Sequence, residues 1–405
     1  MGMGIKEKIA KVTIQTRKIK KFGIIESHTK IIDSSKYYEK NNKNYNTFCV
    51  LKSIDDIFYL VYIKDNTRIV FYNLIDERKV IDIYTDSNSY SDNALIAIKY
   101  LFDQNNKRDL LLSLSKNFIL KLWNINNFEC LFEIKIDFPE FINECNYLGI
   151  LKLNDTSYNI LVSDWRRSIK IFDLNGNKLK DNYRNNLKSN NKIQDFNYLE
   201  FIDTYYDKKL CKTFIFMFND ISIELKYNKL YSLDFQKGEF YQEYDGIYNY
   251  NGQIIINDDD ENLIKVIYLI NYDSIGIFNF HTGKLIYKIN LTVIPFQNSK
   301  FVDEYHYDII YSLNFWNNNY ISLSYGTVFE AGGSYGDYGA IFEYDKKYHS
   351  IEIINLKEEK MKQVFKLEKV DTFIFVKKIF HPNYGDCLLT QDDCGEINLI
   401  KIKLI

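Results

Sequence analysis

The chain has 405 residues, sets 52 Lys and Arg against 54 Asp and Glu for a net charge of −2, and is 46% hydrophobic and 16% aromatic. So even a balance excludes general polyanion binding, and nucleic acid is not expected as a partner. No apolar run approaches the roughly 18–20 residues that cross a bilayer, so no spanning helix is expected.

Residues 1–21 read as a basic N-terminal extension, with Glu7 the one acid between Lys6 and Lys21. Transit peptides are richer in Arg and Ser, so a solvated lead-in is favoured over mitochondrial targeting. The opening Met1-Gly-Met-Gly-Ile-Lys6 lacks the Ser or Thr of a myristoylation signal and the apolar core of a secretory one. Lys, Asn, Ile and Tyr dominate while Pro numbers only 3. Those are AT-rich codons, so the bias reports an AT-rich genome such as a protozoan's, and the Asn-rich stretches 41–46 and 185–191 carry no physical argument.

From about residue 46 onward a worn repeat runs through the chain. Leu111-Leu-Ser-Leu-Ser-Lys-Asn-Phe-Ile-Leu-Lys-Leu-Trp-Asn-Ile125 reads as a strand, a polar turn and a second strand ending in an aromatic-polar pair. Copies of the pair stand at Tyr72-Asn73, Trp123-Asn124, Phe172-Asp173, Leu233-Asp234, Phe278-Asn279, Ile354-Asn355 and Ile400-Lys401. They lie 51, 49, 61, 45, 76 and 46 residues apart, so the third and fifth intervals hold insertions. Before the pair, alternation as in Ser168-Ile-Lys-Ile-Phe172 is strand patterning. After it, His281-Thr-Gly-Lys284 and its counterparts carry hairpin-turn chemistry. Self-similarity at this period predicts radially repeated small sheets.

These residues resemble the WD40-repeat β-propeller family, over roughly residues 46–405. The clearest copies are Ser113 to Asn124 and Val162 to Asp173. No Gly-His dipeptide precedes the blades, only Asp173 and Asp234 keep Asp in the pair, and Asn66, Asn117, Arg166 and Cys394 stand at the turn-Asp position. The family's His–Ser/Thr–Asp network is therefore mostly absent, and packing is expected to carry more of the stability. The expected fold is all-β: a seven-bladed β-propeller of four-stranded blades, forming one domain over 22–405. The seventh copy stops a few residues after its third strand, at Ile405. An N-terminal strand, from Phe22–Ser27, Lys30–Asp33 or Lys11–Thr16, is expected to close its edge.

The resemblance implies a non-enzymatic intracellular scaffold whose top face docks proteins or peptides within a larger complex. Alternatives are a phosphoinositide-binding propeller, a ubiquitin-ligase substrate receptor or, less favoured, a propeller enzyme. Arg166-Arg167 is the one basic pair for lipid, but its flanks do not match that family's Phe-Arg-Arg-Gly motif, and no separate N-terminal adaptor domain is visible for the receptor. Two segments are candidate partner sites. In Asp164-Trp-Arg-Arg167, Trp165, Arg166 and Arg167 are residue types enriched at binding hot spots. Between Gly326 and Tyr348, Thr327–Ala331 and Ala340–Tyr344 flank Gly332–Gly339 as if in a protruding hairpin, with Tyr335, Asp337 and Tyr338 at its tip. The alternative for the first is that Arg166 bonds within its blade and Trp165 packs over a neighbouring one; for the second it is a plain surface loop.

Metal and catalytic chemistry find little support, and no cofactor is expected. The six cysteines form no CxxC; most sit in apolar strands, as small buried residues of a reducing compartment do. His381, Cys387 and Cys394 match no zinc spacing, and His381-Pro382 is better placed in a turn. Asp258-Asp-Asp-Glu261 lacks a calcium loop's spaced ligands, and Gly332-Gly-Ser-Tyr-Gly-Asp337 lacks a P-loop's Lys and helix. None of the five histidines accompanies a nucleophile motif.

Overall fold

The structure, a computed structural model, describes residues 23–32, 48–64, 67–84, 94–137, 145–164, 169–180, 198–220, 229–245, 254–258, 260, 263–270, 274–290, 305–317, 320–330, 349–355, 360–367, 373–392 and 397–404. Two compact units divide the chain: Ser35–Lys288 is one, and Met1–Ser34 with Ile289–Ile405 is the other.

The first unit carries five blades, each an antiparallel sheet of four consecutive strands. Blade one is β2 (Phe48–Lys52), β3 (Phe58–Lys64), β4 (Arg68–Asn73) and β5 (Arg78–Tyr84). Blade two is β6 (Leu95–Asp103), β7 (Arg108–Ser115), β8 (Ile119–Asn124) and β9 (Glu129–Lys135). Blade three is β10 (Cys145–Lys152), β11 (Tyr158–Asp164), β12 (Ile169–Phe172) and β13 (Lys178–Lys180). Blade four is β14 (Tyr198–Asp207), β15 (Lys212–Asp220), β16 (Lys229–Asp234) and β17 (Glu239–Glu243). Blade five is β18 (Ile254–Asn257), β19 (Lys265–Ile270), β20 (Ser274–Asn279) and β21 (Leu285–Asn290).

The sequence sets these layers through burial. A strand covered on both faces reads as an apolar run, as Leu110-Leu-Leu112 does in β7; an outer strand such as β9 exposes alternate residues. The core lies between blades. Leu112 and Leu122 of blade two meet Leu148, Ile160 and Val162 of blade three, and Phe216 and Phe218 of blade four meet Tyr268 and Phe278 of blade five. Burying each such side chain contributes about 2 kcal/mol.

In the second unit β22 (Tyr305–Asn317), β23 (Tyr320–Glu330), β24 (His349–Asn355) and β25 (Lys360–Leu367) form another consecutive blade. The remaining sheet is composite: β26 (Phe373–His381), β27 (Gly385–Asp392) and β28 (Ile397–Leu404) are joined by β1 (Gly23–Ile32) in the order β1-β28-β27-β26. Strand β1 covers most of both Phe22–Ser27 and Lys30–Asp33 in one antiparallel pairing with β28. The expected seven-bladed count is corrected accordingly. Among the described residues there are six blades of four consecutive strands, not seven, and one sheet drawn from both chain ends. Among the described residues three strands, β26–β28, follow the sixth blade, and the fourth strand of their sheet is β1.

Thr327 to Glu330, the first arm of the expected hairpin, continue β23 and pair with Tyr305 to Asp308 of β22, which extends alongside them. Residues 331–348 lie outside the described residues.

Candidate functional site

Three surfaces of the first unit bear on function: the face of the strand-connecting turns, the outer strands and the inner edge. The aromatic-polar pair builds the turn face. In blades one, two, four and five it ends the third strand, and in blade three Asp173 follows directly. The polar member then accepts the backbone N–H groups of the next turn. Asn73 Oδ1 takes those of Ile75 and Asp76, Asp173 Oδ1 those of Asn175 and Asn177, and Asn279 Oδ1 those of His281 and Thr282, all at 2.7–3.2 Å. These are Asx turns, which Asn makes as readily as Asp, so Asn at this position keeps the turns intact.

Further bonds tie one blade to the next on this face. Asp109, fully buried at the start of β7, accepts the Ile54 N–H of blade one and the Tyr100 hydroxyl, each at 2.7 Å. Burial and the Asp109 bond push the Tyr100 phenol upward, so it stays a neutral donor. Thr213, buried at the corresponding place in blade four, donates its hydroxyl to the Lys152 carbonyl of blade three. Between blades four and five, Tyr241 Oη lies 2.7 Å from His281 Nδ1, and the Asp245 N–H donates to the Gly283 carbonyl at 3.0 Å. The face is therefore a fixed platform, from which Ile54 and Leu210 project, 45% and 40% exposed.

Outer strands are poorer docking edges. The register between third and fourth strands slips within or just before the pair in blades one to four, leaving Val80, Leu131, Leu179 and Tyr241 without a direct partner. Val80, Leu131 and Leu179 are exposed there. A bulge interrupts the row of free backbone groups that an added strand would need. Single exposed apolar residues need no partner to explain them.

The inner edge holds the most unusual chemistry. First strands β2, β6, β10, β14 and β18 neighbour one another in that order. Register places Lys99, Gly149 and Asp203 at one equivalent position of blades two, three and four: opposite Leu112, Leu161 and Phe216, themselves opposite Leu122, Ile171 and Ser232. A Cβ on Gly149 would stand 2.6 Å from Cε1 of Tyr147, so glycine here clears room for that ring. Tyr147 is 6% exposed and its hydroxyl is buried with no hydrogen-bond partner. Burial, then the Asp203 charge, pushes that phenol far upward.

Asp203 is held by the Thr204 N–H, which donates to its Oδ1 at 2.8 Å, while the Thr204 hydroxyl donates to Ile150 O of blade three at 2.8 Å. Though partly open to solvent, the carboxyl is closely surrounded by protein. Burial pushes it above the ordinary carboxylate range, and the Lys99 charge offsets only part of that.

The expected partner residues Trp165, Arg166, Arg167, Tyr335, Asp337 and Tyr338 lie outside the described residues, as do Asn66 and Cys394. His381 ends β26 just before the turn at 382–384: its Nδ1 accepts the Asn383 N–H at 3.1 Å and its ring stacks on Tyr384 at 4.4 Å. Cys387 is buried, which pushes its thiol up to about 11, and Cys49 is half-buried. The expectation that most cysteines are buried is corrected for Cys130 and Cys211. Both are exposed, because β9 is an outer strand and Cys211 lies in a turn at φ 52°. Among the described residues no group of three or more His, Cys, Asp or Glu could hold a metal ion, and no helix is long and apolar enough to cross a membrane. The Lys99, Tyr147 and Asp203 cluster was missed in the sequence because no motif marks it. Its members come from three strands in three blades.

Comparison with known proteins gives a fold without a family. No family model matches the chain, and no curated protein does. Among solved structures, BBS1N in complex with ARL6DN matches with a TM-score of 0.60 in a mercury-soaked crystal and 0.58 in a lead-soaked one. Both share 9% identity and cover 96% of this chain and 98% of theirs. The β-propeller domain of Myceliophteria thermophila Cps50 (Swd1) matches with a TM-score of 0.56 and 11% identity, over 93% of this chain and 99% of that one. These likenesses show that the fold is a β-propeller.

Proposed function

We propose that this protein is a non-enzymatic interaction scaffold, an intracellular propeller that serves as a subunit of a larger complex. The observation that carries the reading is the tied turn face of residues 35–288. Asp109, Thr213 and Tyr241 link successive blades, and Ile54 and Leu210 stand out from the fixed surface. A rigid framework that displays variable connections suits recognition of proteins. The similar BBS1N structure, itself in complex with ARL6DN, agrees with such a role. Trp165, Arg166 and Arg167 in the first unit and, separately, Tyr335, Asp337 and Tyr338 in the second would add further partner contacts.

The test is purification of the tagged full chain from its native cells, with mass spectrometry of what accompanies it. A reproducible set of stoichiometric partners is expected. Recovery as a lone chain overturns the reading. Paired substitutions then separate the surfaces: Ile54→Asp with Leu210→Asp for the turn face, and Trp165→Ala with Arg166→Ala for the other.

A further inference from the structure

We propose that Lys99, Tyr147 and Asp203 form a binding site for a compact amphoteric small molecule, one that offers an acceptor to Lys99 and a donor to Asp203. Three observations lead there. First, opposite charges stand at the equivalent position of blades two and four, with Gly149 between them in blade three. The Lys99 charge acts on Asp203, and among the described residues no ion pair joins the two.

Second, Tyr147 leans across that glycine, and its buried hydroxyl lies near enough to Asp203 to feel its charge while bonding to nothing. A buried hydroxyl without a partner is costly and uncommon, and a ligand that bonds to it removes the cost. Third, the site is preorganised. The Thr204 N–H fixes the Asp203 carboxyl, the Thr204 hydroxyl anchors β14 to β10, and Tyr147 packs on Phe201 with ring centres 6.4 Å apart.

The cluster's charges sum to zero, so a simple anion or cation would satisfy one end and face repulsion at the other. A zwitterion satisfies both ends and gives the Tyr147 hydroxyl a partner. This function is separate from scaffolding: partner capture and ligand binding can each fail alone.

Titration calorimetry of the full chain with glycine, β-alanine and γ-aminobutyrate, and with acetate and methylammonium as single-charge controls, tests it. Saturable binding of one zwitterion is expected, at least tenfold tighter than either control. Lys99→Met or Asp203→Asn should each weaken it tenfold or more, and Tyr147→Phe several-fold. Thermal unfolding of every variant confirms that it is folded. No zwitterion binding up to tens of millimolar, equal binding of a control, or binding unchanged by both charge substitutions overturns the proposal. Gly149→Ala keeps the site testable should a charge variant fail to fold. Its added methyl displaces the Tyr147 ring and should weaken binding with both charges in place.

Discussion

Asp203 gives the clearest pH prediction at the scale of single residues. Its carboxyl is raised above the usual range by burial, so the folded state holds that proton more tightly than the unfolded chain does. Its contribution to stability is therefore present in full below about pH 4 and lost as pH rises through the folded value. Asp203→Asn should raise the melting temperature at pH 7, and the advantage should vanish near pH 3–4, measured by thermal unfolding across pH. Backbone conformation gives a second test. Glu77 and Gly283 occupy the same left-handed turn position after their pairs, at φ 50° and 66°. Gly283 also has the Glu243 carbonyl where a Cβ would stand, so Gly283→Ala must strain both the turn and the neighbouring blade. It should cost about 1–3 kcal/mol. Glu77→Gly should instead stabilise the chain by up to about 1 kcal/mol, both read by denaturant unfolding.

Turns and strands are held by bonds within and between blades. Asn279 satisfies two turn N–H groups, so Asn279→Ala should cost about 1 kcal/mol and Asn279→Asp much less. Asp109 holds blades one and two together from a fully buried position. Asp109→Ala leaves both the Tyr100 hydroxyl and the Ile54 N–H without this acceptor and should cost about 2–4 kcal/mol in denaturant unfolding. Within blade two, Trp123 Nε1 donates to the buried Ser113 Oγ at 2.9 Å. In blades one to five the pair was legible because it closes the third strand and opens a turn, two local events that need Asn or Asp at one position; the Ile400-Lys401 copy instead lies within β28. The tie through Asp109 was not legible, since its partner Ile54 lies 55 residues away.

For the whole molecule, stability should divide among neighbours, as expected of stacked repeats. Leu112, in the core between blades two and three, is fully buried. Leu112→Ala should cost about 2–5 kcal/mol and raise amide exchange first in those two blades. The sequence by itself determined the all-β class, the third strand of the blades and, in blades one to five, the turn after it, because alternation and turn chemistry act over a few adjacent residues. Tertiary structure alone decided which copies are blades of consecutive strands and which sheet joins the two chain ends. It alone placed Lys99, Gly149 and Asp203 at one level, although they stand 25, 24 and 31 residues before the polar member of their own pairs. Insertions change that spacing without changing the backbone register, and register, not spacing, sets which side chains meet.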